Sequence, residues 1–200
     1  MKGKVAPLIK EFYPQYFSIE EYPAARCAAF SKVSEPWGEF SNFGKTPIVV
    51  NEVEYSCVEK LFQCLKFFET PEAVVDIFNA SGQKIKMKAK KWDKAGATRS
   101  DWGKLIVDAM KYCLNLKYEQ IPAFRDALEK SKGLHIVEDQ STFAKKEANA
   151  WGCKLVEDKY VGPNLMGRLL MELRDKGIFG INTISGISEL TQILRFANNE

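Results

Sequence analysis

The stretch from Asp101 to Tyr118 places Trp102, Leu105, Ile106, Ala109, Met110 and Cys113 within one arc at ~100° per residue. It predicts a long amphipathic helix, which is stable only where another apolar surface receives its face. Two other stretches repeat the pattern. Val58, Leu61, Phe62, Leu65 and Phe68 recur at helical spacing from a start near Ser56, with Pro71 marking the exit. Leu165, Met166, Leu169, Leu170 and Leu173 line one face of a helix over 163–176, with Gly177 placed as its C-cap. A further helix starts around Pro122, since proline suits a first helical turn. Residues 76–94 are mixed and carry a lysine cluster at Lys84, Lys86, Lys88, Lys90 and Lys91.

Strand signals are fewer. Ile48, Val49 and Val50 form a short apolar run, Asn51-Glu52 reads as a turn, and Val53 and Tyr55 alternate with charge. Leu134 to Val137 reads as another short strand. The fold class is therefore α+β, a mostly helical single domain around a small β-sheet. The proline-dotted residues 1–25 read as an N-terminal extension, 26–178 as the domain, and 179–200 as a C-terminal helical extension.

Composition narrows the chemistry. The single histidine, His135, excludes a multi-histidine metal centre, so no metal and no cofactor is expected, and proton transfer falls to carboxylates, lysines and water. Lys and Arg number 29 against 26 Asp and Glu, and a net charge of +3 is too small to argue for nucleic acid. The five cysteines contain no C-x-x-C pair and read as buried free thiols of a reducing compartment. No signal-peptide run and no membrane-length apolar stretch is present. The expectation is a cytoplasmic chain without a membrane partner; its oligomeric state is not legible.

Glu59, Gln63 and Lys66 lie four and three residues apart, within ~60° of one another on a helix. On one stripe they could line a cleft, Glu59 handling protons and Lys66 an anion or a carbonyl carbon. The structural alternative is a capping box, because Ser56-x-x-Glu59 has its spacing. Trp37 to Phe43 holds three aromatics with Asn42; it either stacks a planar base or forms a buried loop. Arg99-Ser100-Asp101-Trp102 opens the long helix, either capping it with Trp102 in the core or holding a phosphate near Arg99. Gly162-Pro163-Asn164 before the last helix suits a phosphate or an ordinary helix start.

These segments, in this order, resemble the NADAR family, also called YbiA-like. The matching pieces are Phe40-Ser41-Asn42-Phe43, Tyr55-Ser56, Glu59-x-x-x-Gln63-x-x-Lys66-Phe67, Arg99-x-Asp101-Trp102, Lys117-Tyr118, Val137-Glu138, Trp151-Gly152 and Gly162-x-Asn164-x-x-Gly167-x-x-Leu170-Met171-x-x-Arg174. The resemblance implies a YbiA-like fold and an N-glycosidase that cleaves a ribose C1–nitrogen bond. It implies two substrate classes: ADP-ribose on guanine, including ADP-ribosylated DNA, and phosphoribosylamino-pyrimidine intermediates of riboflavin synthesis. By the same pattern Glu59 is the leading catalytic residue, and Lys66 either holds a phosphate or attacks C1. Trp102 and Trp151 would stack on the heterocycle, Asn42 with Phe43 and Gln63 would orient substrate, and Arg99, Gly152, Gly162 and Asn164 would complete the binding set. One departure stands out. The family's usual aspartate before the Trp-Gly pair is replaced by Ala148 and Asn149, with Glu147 upstream. Asn149 cannot act as a base or carry charge, so either Glu147 substitutes or the acid is missing. Competing readings are a catalytically impaired ADP-ribose-binding module and an interaction protein with a retired pocket.

Overall fold

A computed structural model describes residues 5–197. In chain order the elements are α1 (Val5–Phe12), β1 (Glu20–Pro23), β2 (Cys27–Phe30), β3 (Ile48–Val50), β4 (Val53–Tyr55), α2 (Val58–Lys66), α3 (Pro71–Phe78), α4 (Lys84–Lys94) and α5 (Trp102–Gln120). There follow α6 (Pro122–Lys130), β5 (His135–Glu138), β6 (Lys154–Val156), β7 (Lys159–Gly162), α7 (Leu165–Lys176) and α8 (Ile187–Ala197). The class is α+β, and the described strands divide among three small sheets. No helix among the described residues is long and apolar enough to cross a membrane. The chain forms two compact units, one of residues 45–120 with 179–197, the other of 5–44 with Ile121–Ile178.

The first unit is built on the long helix expected from its apolar arc. Ile106, Ala109, Met110 and Cys113 of α5 are buried, and α2 packs against them. α2 is more deeply covered than an amphipathic pattern requires: from Val58 to Leu65 every residue but Gln63 is buried, Glu59 and Lys60 included. Pro71 does more than mark an exit. It opens α3 at the first helical position, where its missing N–H costs nothing. The lysine cluster forms α4, with Ile85 and Ala89 as its buried face.

Residues 179–197, expected as an appended helix, are packed into this unit. α8 contacts α2, α3 and β4, and Leu190 and Leu194 are fully buried. Asn115 of α5 ties down the preceding segment, donating from Nδ2 to the Phe179 carbonyl at 2.8 Å and accepting from the Phe179 N–H at 2.9 Å.

The second unit contains β1, β7 and β6 as an antiparallel sheet and β2 beside β5 as a parallel pair. Tyr22, Val137, Cys153 and Tyr160 form its apolar cluster, and α7 packs on β5. The segment expected as an extension supplies β1, whose Tyr22 faces that cluster while Glu20 pairs with Gly162 of β7. Ile9 of α1 is buried as well.

β3 and β4 are joined by the two-residue turn the sequence predicts. Asn51 and Glu52 both adopt positive φ, 48° and 66°, as the right-handed twist of a tight hairpin demands. Asparagine tolerates this region, whereas glutamate is strained there. Exposed Glu52 regains part of that cost from an ion pair with Arg195. Glu52→Gly is expected to raise stability by about 0.5–1 kcal/mol, read as a higher midpoint in urea denaturation; a lower midpoint would contradict this account of the turn.

Candidate functional site

Glu59 stands in the first turn of α2 and is 6% exposed. The capping-box alternative does not form. Cys57, not Ser56, is the N-cap residue, and no side-chain capping bond is made. Starting the helix at Val58 moves Glu59 one position too early to reach back to the cap. Its carboxylate is engaged along the helix instead: Gln63 Nε2 donates to Glu59 Oε1 at 2.9 Å, and Lys86 Nζ of α4 lies 4.0 Å from the same oxygen. Both contacts fall on Oε1. The other end of the Gln63 amide, Oε1, is buried and has no hydrogen-bond partner among the described residues. A buried acceptor left without a donor costs about 1–3 kcal/mol, and a ligand N–H or O–H would satisfy it.

Lys66 ends α2 with its Nζ against both oxygens of Asp93, at 2.6 and 2.7 Å, and over the Phe67 ring at 5.2 Å. Thr98 Oγ1 donates to the same carboxylate at 2.5 Å. The amine is thereby fixed as one half of a half-buried ion pair, and attack on a carbon would require it to leave Asp93.

Arg99 is 3% exposed and committed within the fold. Nε and Nη2 grip the Asp101 carboxylate at 2.6 and 3.0 Å. Nη1 donates to the Ser185 carbonyl at 2.8 Å and, weakly, to the Leu65 carbonyl at 3.5 Å, while Nη2 also donates to Ser185 Oγ at 3.1 Å. These contacts account for all five guanidinium N–H groups, leaving no donor for a phosphate. The ring of Phe68 lies 4.3 Å from the guanidinium carbon. Trp102 is 4% exposed and packs on Phe62 at 5.2 Å, which makes it a core residue of this unit.

The remaining candidates belong to the second unit. Trp37 and Phe40 stack on one another, 4° from parallel, and Phe40 is fully buried against Phe30 and Phe124. Asn42 is buried, Phe43 half-buried, and the Phe43 N–H donates to Ser41 Oγ. Within the Trp37–Phe43 segment Phe40, Ser41 and Asn42 are buried, Trp37 and Phe43 half-buried and Glu39 exposed.

Asn164 is fully buried in the left-handed region, φ 51°, at the N-cap of α7. Its side chain does not cap. Nδ2 donates to the Ile136 carbonyl at 2.9 Å and Oδ1 accepts from the Glu138 N–H at 3.2 Å, completing the backbone pairing of β5. Glycines surround this contact because no Cβ fits. One on Gly167 would lie 2.0 Å from the Ile136 carbonyl oxygen, and one on Gly152 2.3 Å from that of Glu138. Gly162, at φ 159°, would meet the Gly152 carbonyl at 2.5 Å.

Asn149 is exposed and forms a turn in which Oδ1 accepts from the Trp151 N–H at 2.9 Å and from Gln140 Nε2 at 3.0 Å. Its own N–H donates to Gln140 Oε1 at 2.9 Å. Both side-chain bonds use the oxygen, so an aspartate would accept them unchanged. Glu147 is exposed and Trp151 half-buried. The bracing roles of Lys86, Asp93 and Gln140 are absent from the sequence reading. Lys86 is one of several similar lysines, and Asp93 and Gln140 belong to no motif. Burial pushes the Cys27 thiol up to about 11 and Cys153 to about 12, so neither supplies a thiolate nucleophile near neutral pH.

The NADAR domain family profile matches residues 29–176. N-glycosidase Npun_R5314 of Nostoc punctiforme is 26% identical over 161 residues, 80% of this chain and 97% of that protein. N-glycosidase YbiA of Escherichia coli K12 is 27% identical over 147 residues, 74% of this chain and 86% of YbiA. The NMR structure of E. coli YbiA matches with a TM-score of 0.58 at 28% identity, covering 75% of this chain and 83% of that one. The protein belongs to the NADAR family.

The Asp101 carboxyl is held below the ordinary carboxylate range, chiefly by the Arg99 hydrogen bonds. A depressed carboxyl stabilises the fold above its unfolded pKa, about 3.9, and that contribution is lost as pH falls through the lower folded value. Acid titration of stability is therefore expected to fall less steeply below about pH 4 in Asp101→Asn than in wild type. Parallel curves would show the pair to be uncoupled from folding.

Proposed function

We propose that this chain is an N-glycosidase that hydrolyses the ribose C1–nitrogen bond of an ADP-ribosylated guanine base. The names of its relatives support the bond class, and one observation carries it onto this chain: Glu59 is a buried carboxylate excused from capping and oriented through Oε1 by Gln63, whose own buried Oε1 is left for a ligand donor. Cleavage develops positive charge at C1 and negative charge on the departing nitrogen. Water bonds to C1 as the C1–N bond breaks, Glu59 takes the water's proton, and the departing base nitrogen takes a proton from solvent water, to which Glu59 later returns its own. Lys66 is neutralised by Asp93 in the same unit and would meet a substrate phosphate only on leaving that carboxylate. The guanine adduct is preferred over the pyrimidine intermediate because it can be carried on a strand whose phosphates add to its own, which suits the lysine-rich α4 that reaches Glu59 through Lys86.

Base release from ADP-ribosylated guanine DNA and from a phosphoribosylamino-pyrimidine, assayed side by side, separates the two substrate classes. Glu59→Gln keeps the shape and is expected to lower kcat by roughly 100-fold or more. Turnover of neither substrate by wild type, with retained ADP-ribose binding in calorimetry, would replace the enzyme by a binding module.

Asn149 gives that second reading its footing, since its amide cannot donate a proton as an acid does. Because the local turn uses only Oδ1, Asn149→Asp preserves the backbone and adds a carboxyl. The variant is expected to gain roughly tenfold or more in kcat, within the range of general acid catalysis. An unchanged rate at equal stability would remove position 149 from the chemistry.

A further inference from the structure

We propose that the solvent face of α4 is a docking surface for a polynucleotide backbone. At about 100° per residue, Ile85 and Ala89 lie on the buried side of this helix, while Lys84, Lys86, Lys88, Lys90, Lys91 and Lys94 cover the remaining arc of about 200°. Its one acidic residue, Asp93, is committed to Lys66 and Thr98. Lys88 and Lys91 are drawn to Asp76, at 2.7 and 3.8 Å, which leaves one carboxylate between two ammonium groups. Lys84, Lys90 and Lys94 are exposed and form no ion pair among the described residues. A chain of net charge +3 thus concentrates a large positive excess on eleven residues.

That arrangement fits a polyanion of regular spacing better than a single phosphate. From Lys84 to Lys94 the helix advances about 15 Å, enough to follow two or three successive phosphates of a strand. Side chains on flexible stems, with no rigid fork, suit contacts that position a backbone without reading bases. The arc also has a direction. At one edge Lys86 stands 4.0 Å from the Glu59 carboxylate, so a strand tracking the lysines is led to the proposed catalytic residue. The inference rests on the glycosidase reading for what the strand carries; attachment of the strand itself is independent of it.

Binding of a fluorescein-labelled, unmodified 12-nucleotide single-stranded DNA by the whole chain tests the proposal between 50 and 300 mM salt. Lys84→Gln/Lys90→Gln/Lys94→Gln is expected to lower affinity at least tenfold at the lowest salt and to reduce the slope of log K against log salt by about 2, at about 0.7 per lost phosphate contact. Lys10→Gln/Lys130→Gln/Lys132→Gln, which removes equal charge elsewhere, is expected to bind as wild type does. Cleavage of a free ADP-ribosylated guanosine by the α4 variant should be unchanged while cleavage of the same adduct in DNA falls. Wild-type affinity in the α4 variant, an equal loss in the control variant, absence of oligonucleotide binding, or binding only to phosphatidylglycerol vesicles would overturn the surface. Loss of turnover with Glu59→Gln alongside intact oligonucleotide binding leaves it standing, and oligonucleotide binding without any glycosidase turnover would sink only the catalytic reading.

Discussion

The guanidinium of Arg99 is the constraint on which the first unit depends. A buried charge is costly unless every donor finds a partner, and Arg99 meets that demand by joining segments distant in sequence. It holds Asp101 before α5, Ser185 before α8 and the end of α2 through Leu65, while its own N–H bonds the Lys66 carbonyl. Gly186 follows from the same packing: it adopts φ 93°, and a Cβ there would lie 2.7 Å from the Phe68 ring that the guanidinium covers. The helix that carries Glu59, Gln63 and Lys66 is fixed at its C-terminal end by this clamp. A motif arginine that looks like a phosphate ligand is here the brace of the helix that bears the carboxylate.

Asn164 has the corresponding part in the second unit. Its amide pairs with β5 as a neighbouring strand would, and the left-handed backbone that aims it there also starts α7. Gly152, Gly162 and Gly167 are required by the closeness of backbone to backbone around it. Motif residues of this kind are held by packing, so their presence speaks for the family's fold more directly than for its chemistry. Glu59 differs in that it is a buried carboxylate held by side chains, Gln63 and Lys86, and not by close backbone packing.

The sequence by itself determined the helices and one hairpin. Apolar periodicity in α2, α5 and α7, proline at the start of α6, and Asn51-Glu52 between two short apolar runs are local signals, and local forces produce those elements. It also determined the family, through motifs whose order and spacing span most of the chain. Strands β1, β2, β6 and β7 escaped because each is three or four residues long and pairs with segments far away, as Glu20 does with Gly162. So short a run is legible only where a local turn marks it, as Asn51-Glu52 does between β3 and β4.

Tertiary structure alone decided which polar residues are free for chemistry. Spacing put Glu59, Gln63 and Lys66 on one stripe but could not show that Gln63 orients Glu59 while Asp93 occupies Lys66. Nor could it show that Glu59 does not cap its helix, since a helix beginning one residue later removes the capping box. Arg99 and Trp102 read either as ligands or as cap and core until their partners were known. The physical reason is common to all of them. A side chain's chemistry is set by what desolvates it and what it bonds, and those partners come from elements that only the folded chain brings together.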